Sequence, residues 1–424
     1  MTPSPPAPSL PARLRAFHER LPLAGDPPNA VLSLPDDQVL YLVAILRDTP
    51  QPPPAMSPDE WQGFLDTLRP HGVYPLMAHR LRSWPAECRP PAEVMEWLNR
   101  GFLYAAARAM RAGRQIQEAV DALEAAGIEP VLLKGPALAR SVYPDPALRQ
   151  SCDLDLLVRP ADVPAAEGVL GGLGYANPGR EFSVSEHGYH HQVFTAPKNG
   201  ITLELHWALD AEYDMSPADW VEEVIARRVP VAAKDLACHT LSRPDHLLFL
   251  AFHNVFVHRS LRLDWVVDTA LLMAQPGGSA DWEGVIGRSV AHHVRIPLEL
   301  AVLSAGFWTG LSPPPGLADP SAWPGPGERE RRLWPYAATR HTSVLSGFYL
   351  ALQGQPGFVE RRARQHRHRR GHDGGYPKHA HPDRGPPGRG GGRRQPADRG
   401  HARRPAGRRQ KRLPGRARDR RPAE

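Results

Sequence analysis

Residues 131–160 read VLLKGPALARSVYPDPALRQSCDLDLLVRP, and the fold class follows from how this stretch changes its period. An apolar run, a turn at Lys134-Gly135, a short helical segment over 136–142 and a Pro/Asp-rich connection lead into a second apolar run that opens with Asp153-Leu154-Asp155. Residues two apart on a strand share a face, so Asp153 and Asp155 project together while Leu154 and Leu156 turn to a core. Two carboxylates on one strand face repel each other. The arrangement costs stability unless cations neutralise it, and Mg²⁺ held by one or two carboxylates together with phosphate oxygens is a common solution.

A third carboxylate arrives in ITLELHW, residues 201–207. Thr202, Glu204 and His206 share one face of this strand, and Leu203, Leu205 and Trp207 share the other. If the two strands are neighbours, three carboxylates converge, which suffices for a site of two metal ions about 3.5–4 Å apart flanking an in-line phosphoryl displacement. Lys134 and Gly135, at a strand-to-helix turn, set backbone N–H groups, a helix N-terminus and a cation beside a phosphate chain. Arg149 adds charge to such a site or serves as a structural ion-pair partner, and His206 reaches the site or bonds the backbone. An Asp-x-Asp on its own can simply cap a strand end; Lys-Gly before it and Glu204 after it set this one apart.

Outward from this unit, short apolar runs at 128–133, 154–158, 193–196 and 201–207 read as strands, with helices at 136–142 and 163–173 between them. The expected class is α+β, a small mixed sheet flanked by helical regions. Upstream, Ser57 precedes Pro58 and Glu60 as a helix cap for Trp61, Phe64, Leu65 and Leu68, and a long alanine-rich helix over 91–126 ends at Gly127. Downstream, helical spacing recurs at 217–228, 244–257, 261–274, 282–292 and 297–309, followed by a Pro/Gly loop at 312–327 and a last helix at 342–352. The organisation expected is a loose Pro-rich segment 1–30, a helical lead-in 31–126, a core 127–210, a helical region 211–357 and a tail 358–424.

The net charge of +7 over 424 residues suggests nucleic acid until its distribution is examined. From Arg361 onward there are 22 Lys and Arg against 5 Asp and Glu, leaving 30 basic and 40 acidic residues before it. The body is acidic, which argues against a nucleic-acid partner. The Arg/Gly/Pro-rich tail has almost no apolar residues to bury and is expected to be disordered. Its composition is what GC-rich DNA encodes out of frame, and the change after Gly357 is abrupt, so it reads as a frameshifted end more readily than as a phosphate-binding arm. No apolar run approaches the roughly 20 residues of a membrane-spanning helix, and no secretory leader is evident, so the cytoplasm is the expected location. Cys88, Cys152 and Cys238 stand too far apart for a zinc motif and read as reduced thiols. His190-His191, His253 with His258, and His292-His293 lack metal-ligand spacing and read as surface or core histidines. Asp264 and Asp268, four apart on a helix, read as a solvated or helix-pairing face.

In its order of LLKGPALA, Tyr143-Pro144, Arg149, DLDLLV, Gly174-Tyr175 and LELHW, the sequence resembles the nucleotidyltransferase superfamily related to DNA polymerase β, and within it an uncharacterised bacterial branch. Weaker similarity in HGVYPLMAHRL and in LFLAFHNVFVHRSLRLDWVVDTALLM extends the resemblance over roughly residues 55–275. The resemblance implies Asp153, Asp155 and Glu204 as catalytic metal ligands for Mg²⁺ or Mn²⁺. It also implies an NTP substrate, and transfer of a nucleoside monophosphate to an acceptor (small molecule, saccharide or protein) with release of pyrophosphate. Lys134-Gly135 stands where the wider superfamily has Gly-Ser, which alters the phosphate loop; with Arg149 and His206 these residues form the expected nucleotide-binding set. A noncatalytic NTP–Mg²⁺-binding regulator would carry the same residues, and a nucleic-acid-binding protein acting through its tail is the remaining alternative.

Overall fold

Strand β2 (Asp153–Leu157) and strand β4 (Thr202–His206) lie side by side in parallel, with Asp155 opposite Glu204 and Leu156 opposite Leu205. They form the centre of a six-stranded mixed sheet in the order β3-β4-β2-β1-β6-β5, where β1 is Val131–Leu132, β3 His191–Phe194, β5 Val229–Pro230 and β6 His239–Thr240. β1 runs parallel to β6, and the remaining pairings are antiparallel. The computed structural model describes residues 9–18, 31–177, 191–209, 220–231, 233, 236–254, 262–275 and 282–338.

The register follows from burial. Leu154, Leu156, Leu203 and Leu205 are fully buried on one face, each contributing roughly 1.5–3 kcal/mol by leaving water. A slip of one residue would exchange these leucines for the carboxylates and put charge into the core. That face packs with Ala112, Ile116, Ala119, Val120 and Leu123 of a long helix, α5 (Ala92–Ala125), and with Val163, Ala166 and Leu170 of α7 (Val163–Gly172). α5 is 34 residues, about 50 Å of helix, and also aligns the ends of the two central strands. Its Arg108 donates to the carbonyls of Ser151 and Cys152 just before β2, at 2.7 and 2.6 Å. Its Gln115 exchanges two hydrogen bonds with the backbone of Ile201 just before β4.

Ahead of α5 come α1 (Leu10–His18), α2 (Asp36–Arg47), α3 (Pro58–Leu68) and α4 (Tyr74–Ser83). The cap read at Ser57 is a capping box: the Ser57 hydroxyl accepts from the Glu60 N–H and the Glu60 carboxylate accepts from the Ser57 N–H. After the Lys134–Ser141 helix α6 and the central strands come α8 (Trp220–Ala226), α9 (Arg243–Phe252), α10 (Leu263–Ala274), α11 (Trp282–Ala291), α12 (Arg295–Thr309) and α13 (Glu328–Ala338). Members of this group pack with Val131, Leu133 and Leu157 on the β1 side of the sheet.

Four expectations need correction. Residues 10–18, expected to be loose, form α1 with Leu14 and Phe17 buried, because an apolar stripe outweighs the flanking prolines. The run 128–133 pairs only over Val131–Leu132. β5 and β6 lie beyond the expected core limit of 210; two residues each, one containing a proline, give no readable alternation. α13 begins where the Pro/Gly loop was expected to end, its polar Glu/Arg run masking the helix. The expected helix at 342–352 and tail at 358–424 lie outside the described residues.

One ion-pair cluster joins the segment before β2 to α10. The buried Arg149 guanidinium donates to both carboxylate oxygens of Asp268 at 2.8 and 2.9 Å and pairs with Asp264 at 3.1 Å, while the Tyr143 hydroxyl donates to Asp268 at 2.8 Å. Removing one partner strands a buried charge, which typically costs about 3–5 kcal/mol. Asp268→Ala is therefore expected to lower unfolding stability in urea by that amount, whereas Asp66→Ala, at an exposed pair, should cost under about 1 kcal/mol. Equal small losses in both would show that the cluster is not a clamp.

Candidate active site

Asp153, Asp155 and Glu204 project from the same face of β2 and β4, and one ligand oxygen from each lies within 4.8 Å of the others. Asp155 is fully buried at the centre. Its Oδ1 accepts from Lys134 Nζ at 2.6 Å and lies 2.9 Å from His206 Nε2; Lys134 Nζ stands 3.9 Å from Glu204 Oε2. Asp155 Oδ2 is buried and finds no hydrogen-bond partner among the described residues. An orphaned oxygen of an ionised carboxylate is costly in a low-dielectric setting and marks a place for a cation.

The charges around this oxygen are in conflict. Burial raises the Asp155 carboxyl, but the Lys134 ammonium and the His206 hydrogen bond outweigh it and hold the group well below the usual carboxylate range. Burial, with repulsion from Asp155 and Glu204, pushes Asp153 up to about 7. Burial opposes the charge on Lys134, yet Asp155 and Glu204 hold its ammonium above its ordinary value. In this arrangement Lys134 balances only part of the negative charge. The residues fit a divalent ion: an all-oxygen donor set, one oxygen without a partner among the described residues, and one carboxylate whose ionisation is opposed by burial and by its two acidic neighbours.

Local backbone puts Lys134 there. The Leu133 N–H donates to the Asp155 carbonyl at 2.9 Å, and the chain then turns at Lys134, which adopts a left-handed φ of 50°. A non-glycine residue in that region carries strain, and here the turn returns the long side chain over β2. Gly135 follows at a close approach, where an added Cβ would meet Ser151 Oγ at 2.4 Å. The expected nucleotide-binding residues therefore divide. Lys134 and His206 lie on the carboxylates, and Gly135 lines the adjoining cleft. Arg149 lines the same cleft, but its guanidinium is held by Asp264, Asp268 and the Gln150 carbonyl; this buried ion-pair cluster stands where a solvated or helix-pairing face was expected for Asp264 and Asp268.

The cleft runs from Lys134, Gly135 and Asp153 past Arg149 and Ser151 to His253, Asn254, Arg262 and Trp265 of the α9–α10 region. Ser151 Oγ and Asn254 Oδ1 are buried and without a hydrogen-bond partner among the described residues. His191, read as an ordinary surface or core histidine, pairs directly with His206 across β3 and β4 and comes to 3.8 Å from Glu204. Only the cross-strand register brings it there, and spacing along the chain carries no trace of that.

A family model described as uncharacterised nucleotidyltransferase matches residues 57–310, more than half of the chain, and the protein belongs to that family. No curated protein matches it. No helix among the described residues is long and apolar enough to cross a membrane.

The raised Asp153 has a consequence for stability. Unfolded, this carboxyl ionises near 3.9; folded and without metal, near 7. Between these values the native state holds a proton that the unfolded state has lost, so stability falls as pH rises from about 4 to 7 and the full cost remains above 7. Asp153→Asn is expected to raise the metal-free protein's unfolding free energy at pH 8 by on the order of 2–4 kcal/mol and to change little at pH 4. Mg²⁺ should stabilise wild type and narrow the gap. A variant less stable than wild type at pH 8 in a chelator would contradict this charge balance.

Proposed function

We propose that the protein transfers a nucleoside monophosphate from an NTP to an acceptor, with Asp153, Asp155 and Glu204 holding Mg²⁺ or Mn²⁺. The observation that carries the reading is the adjacency of Asp155 and Glu204 on parallel strands, with Asp153 on the same face, in a chain of this family. When bound, the metal supplies Lewis-acid charge at the α-phosphate and at the pyrophosphate oxygens.

The chain's own groups do the rest by position and charge. Glu204, the more exposed of the two paired carboxylates, accepts the proton of the acceptor hydroxyl as its oxygen attacks the α-phosphorus. The bond from that phosphorus to the bridging oxygen breaks, and pyrophosphate leaves with the electron pair. His206, hydrogen-bonded to Asp155, fixes the orientation of that carboxylate. Lys134 serves the carboxylates when they lack other positive charge and turns to the triphosphate when they have it. Ser151 and Asn254 offer unmatched polar atoms along the cleft, the first as a donor or acceptor and the second as an acceptor through Oδ1. The α9–α10 wall of that cleft is then where nucleotide and acceptor meet. Arg149 acts at one remove, holding α10 against the β2 segment.

The test is Mg²⁺-dependent pyrophosphate release from each of the four NTPs, with a cell extract supplying acceptors and α-labelled nucleotide reporting the product. Wild type should release pyrophosphate and label an acceptor. Asp155→Ala should lose about three orders of magnitude, as expected from removing several kcal/mol of transition-state charge stabilisation. No release with any NTP, together with NTP–Mg²⁺ binding that Asp155→Ala leaves unchanged, would overturn the reading.

A further inference from the structure

Beside the carboxylate triad lies a second ligand set of different chemistry. His191 and His206 are a directly paired couple on the antiparallel strands β3 and β4, their rings stacked with centroids 4.9 Å apart. Glu204 sits two residues before His206 on the same strand face, its Oε2 3.3 Å from His206 Nε2 and 3.8 Å from His191 Nε2. One ligand atom from each of the three lies within 4.8 Å of the others. Asp155 Oδ1, 2.9 Å from His206 Nε2, accepts the hydrogen that this nitrogen gives up when it ligates a metal.

Bonds of about 2.0–2.1 Å from zinc to imidazole nitrogen and carboxylate oxygen imply ligand-to-ligand separations of about 3.3–3.5 Å in a tetrahedral site. The distances here bracket that value, so small side-chain rotations close the set around an ion. Two imidazoles are the wrong donors for Mg²⁺, which takes oxygen and keeps its waters, and the right ones for late first-row metals, which bind nitrogen–oxygen sites far more tightly.

We propose that His191, His206 and Glu204 form a transition-metal site of the Zn²⁺ class that shares Glu204 with the carboxylate triad. Because one carboxylate is common to both, Zn²⁺ bound at the histidines withdraws Glu204 from the triad. Zn²⁺ is then an inhibitor of the Mg²⁺-dependent reaction. The inhibition rests on the function proposed above; the metal site does not.

The experiment uses the full chain with Co²⁺ as a spectroscopic probe and Zn²⁺ as its competitor, comparing wild type with His191→Gln and Asp153→Ala. The chain has 20 histidines, so stoichiometry alone decides nothing; histidines elsewhere contribute equally to wild type and variants. Wild type should give visible Co²⁺ bands of low-coordinate, nitrogen-ligated metal that Zn²⁺ displaces. His191→Gln should lose these bands and weaken Zn²⁺ binding by at least about 10–100-fold, while Asp153→Ala keeps both. Unfolding curves in a chelator confirm that His191→Gln is folded; His191→Ala, which cannot ligate at all, gives the same loss if the site is real. Pyrophosphate release by His191→Gln should match wild type without Zn²⁺ and resist Zn²⁺ at least tenfold better.

Co²⁺ spectra and Zn²⁺ affinity identical in wild type and both His191 variants would overturn the site. Bands that depend on His191 in a protein that releases no pyrophosphate would uphold the site and count against the nucleotidyl-transfer reading alone. Release that Zn²⁺ inhibits equally in wild type and His191→Gln would overturn the shared-carboxylate link.

Discussion

Parallel pairing of β2 with β4 forces Asp155 against Glu204, and the rest of the site is arranged around that like-charge contact. The leucines on the opposite face hold the pairing in register, so the protein cannot relieve the repulsion by sliding a strand. Positive charge has to be brought to it. Lys134 supplies one charge from a left-handed turn that places its ammonium on Asp155, and His206 supplies a hydrogen bond from the neighbouring strand. For Asp153 the attraction of Lys134 and His206 is outweighed by burial and by repulsion from Asp155 and Glu204, and Asp155 Oδ2 finds no partner among the described residues. A hydrophobic register thus maintains an electrostatic deficit, which is what a cation site requires.

The second layer keeps this geometry fixed. α5 ties down the chain just before each central strand, through Arg108 to the residues ahead of Asp153 and through Gln115 to Ile201 ahead of Glu204. Arg149 does the same between the β2 segment and α10, through its contacts with the Asp264 and Asp268 carboxylates and a tyrosine hydroxyl that shares Asp268. Such a buried cluster stabilises less by its attraction than it would destabilise by losing a member, so its role is to specify one arrangement. The cleft wall carried by α9 and α10 is thereby set relative to the carboxylates.

Much of this was legible in the sequence because it depends on period. The alternation in DLDLL and TLELH puts the acids on one face and the leucines on the other, and the capping box at Ser57 is written in four residues. What could not be read depends on contacts between distant segments. Nothing local says that Arg149 meets Asp268 or that His191 pairs with His206, because both follow from register and helix docking. β5 and β6 escaped for another reason: strands of two residues have no period to detect, and they form only because β1 offers β6 an edge to pair with.

The most direct measurement is crystallographic: anomalous scattering from crystals holding Mn²⁺ and a non-hydrolysable NTP analogue. Mn²⁺ density is expected between Asp153, Asp155 and Glu204, in contact with the triphosphate, and should be lost in Asp155→Ala. Nucleotide bound elsewhere, or no metal between those three carboxylates at saturating Mn²⁺, would contradict this expectation.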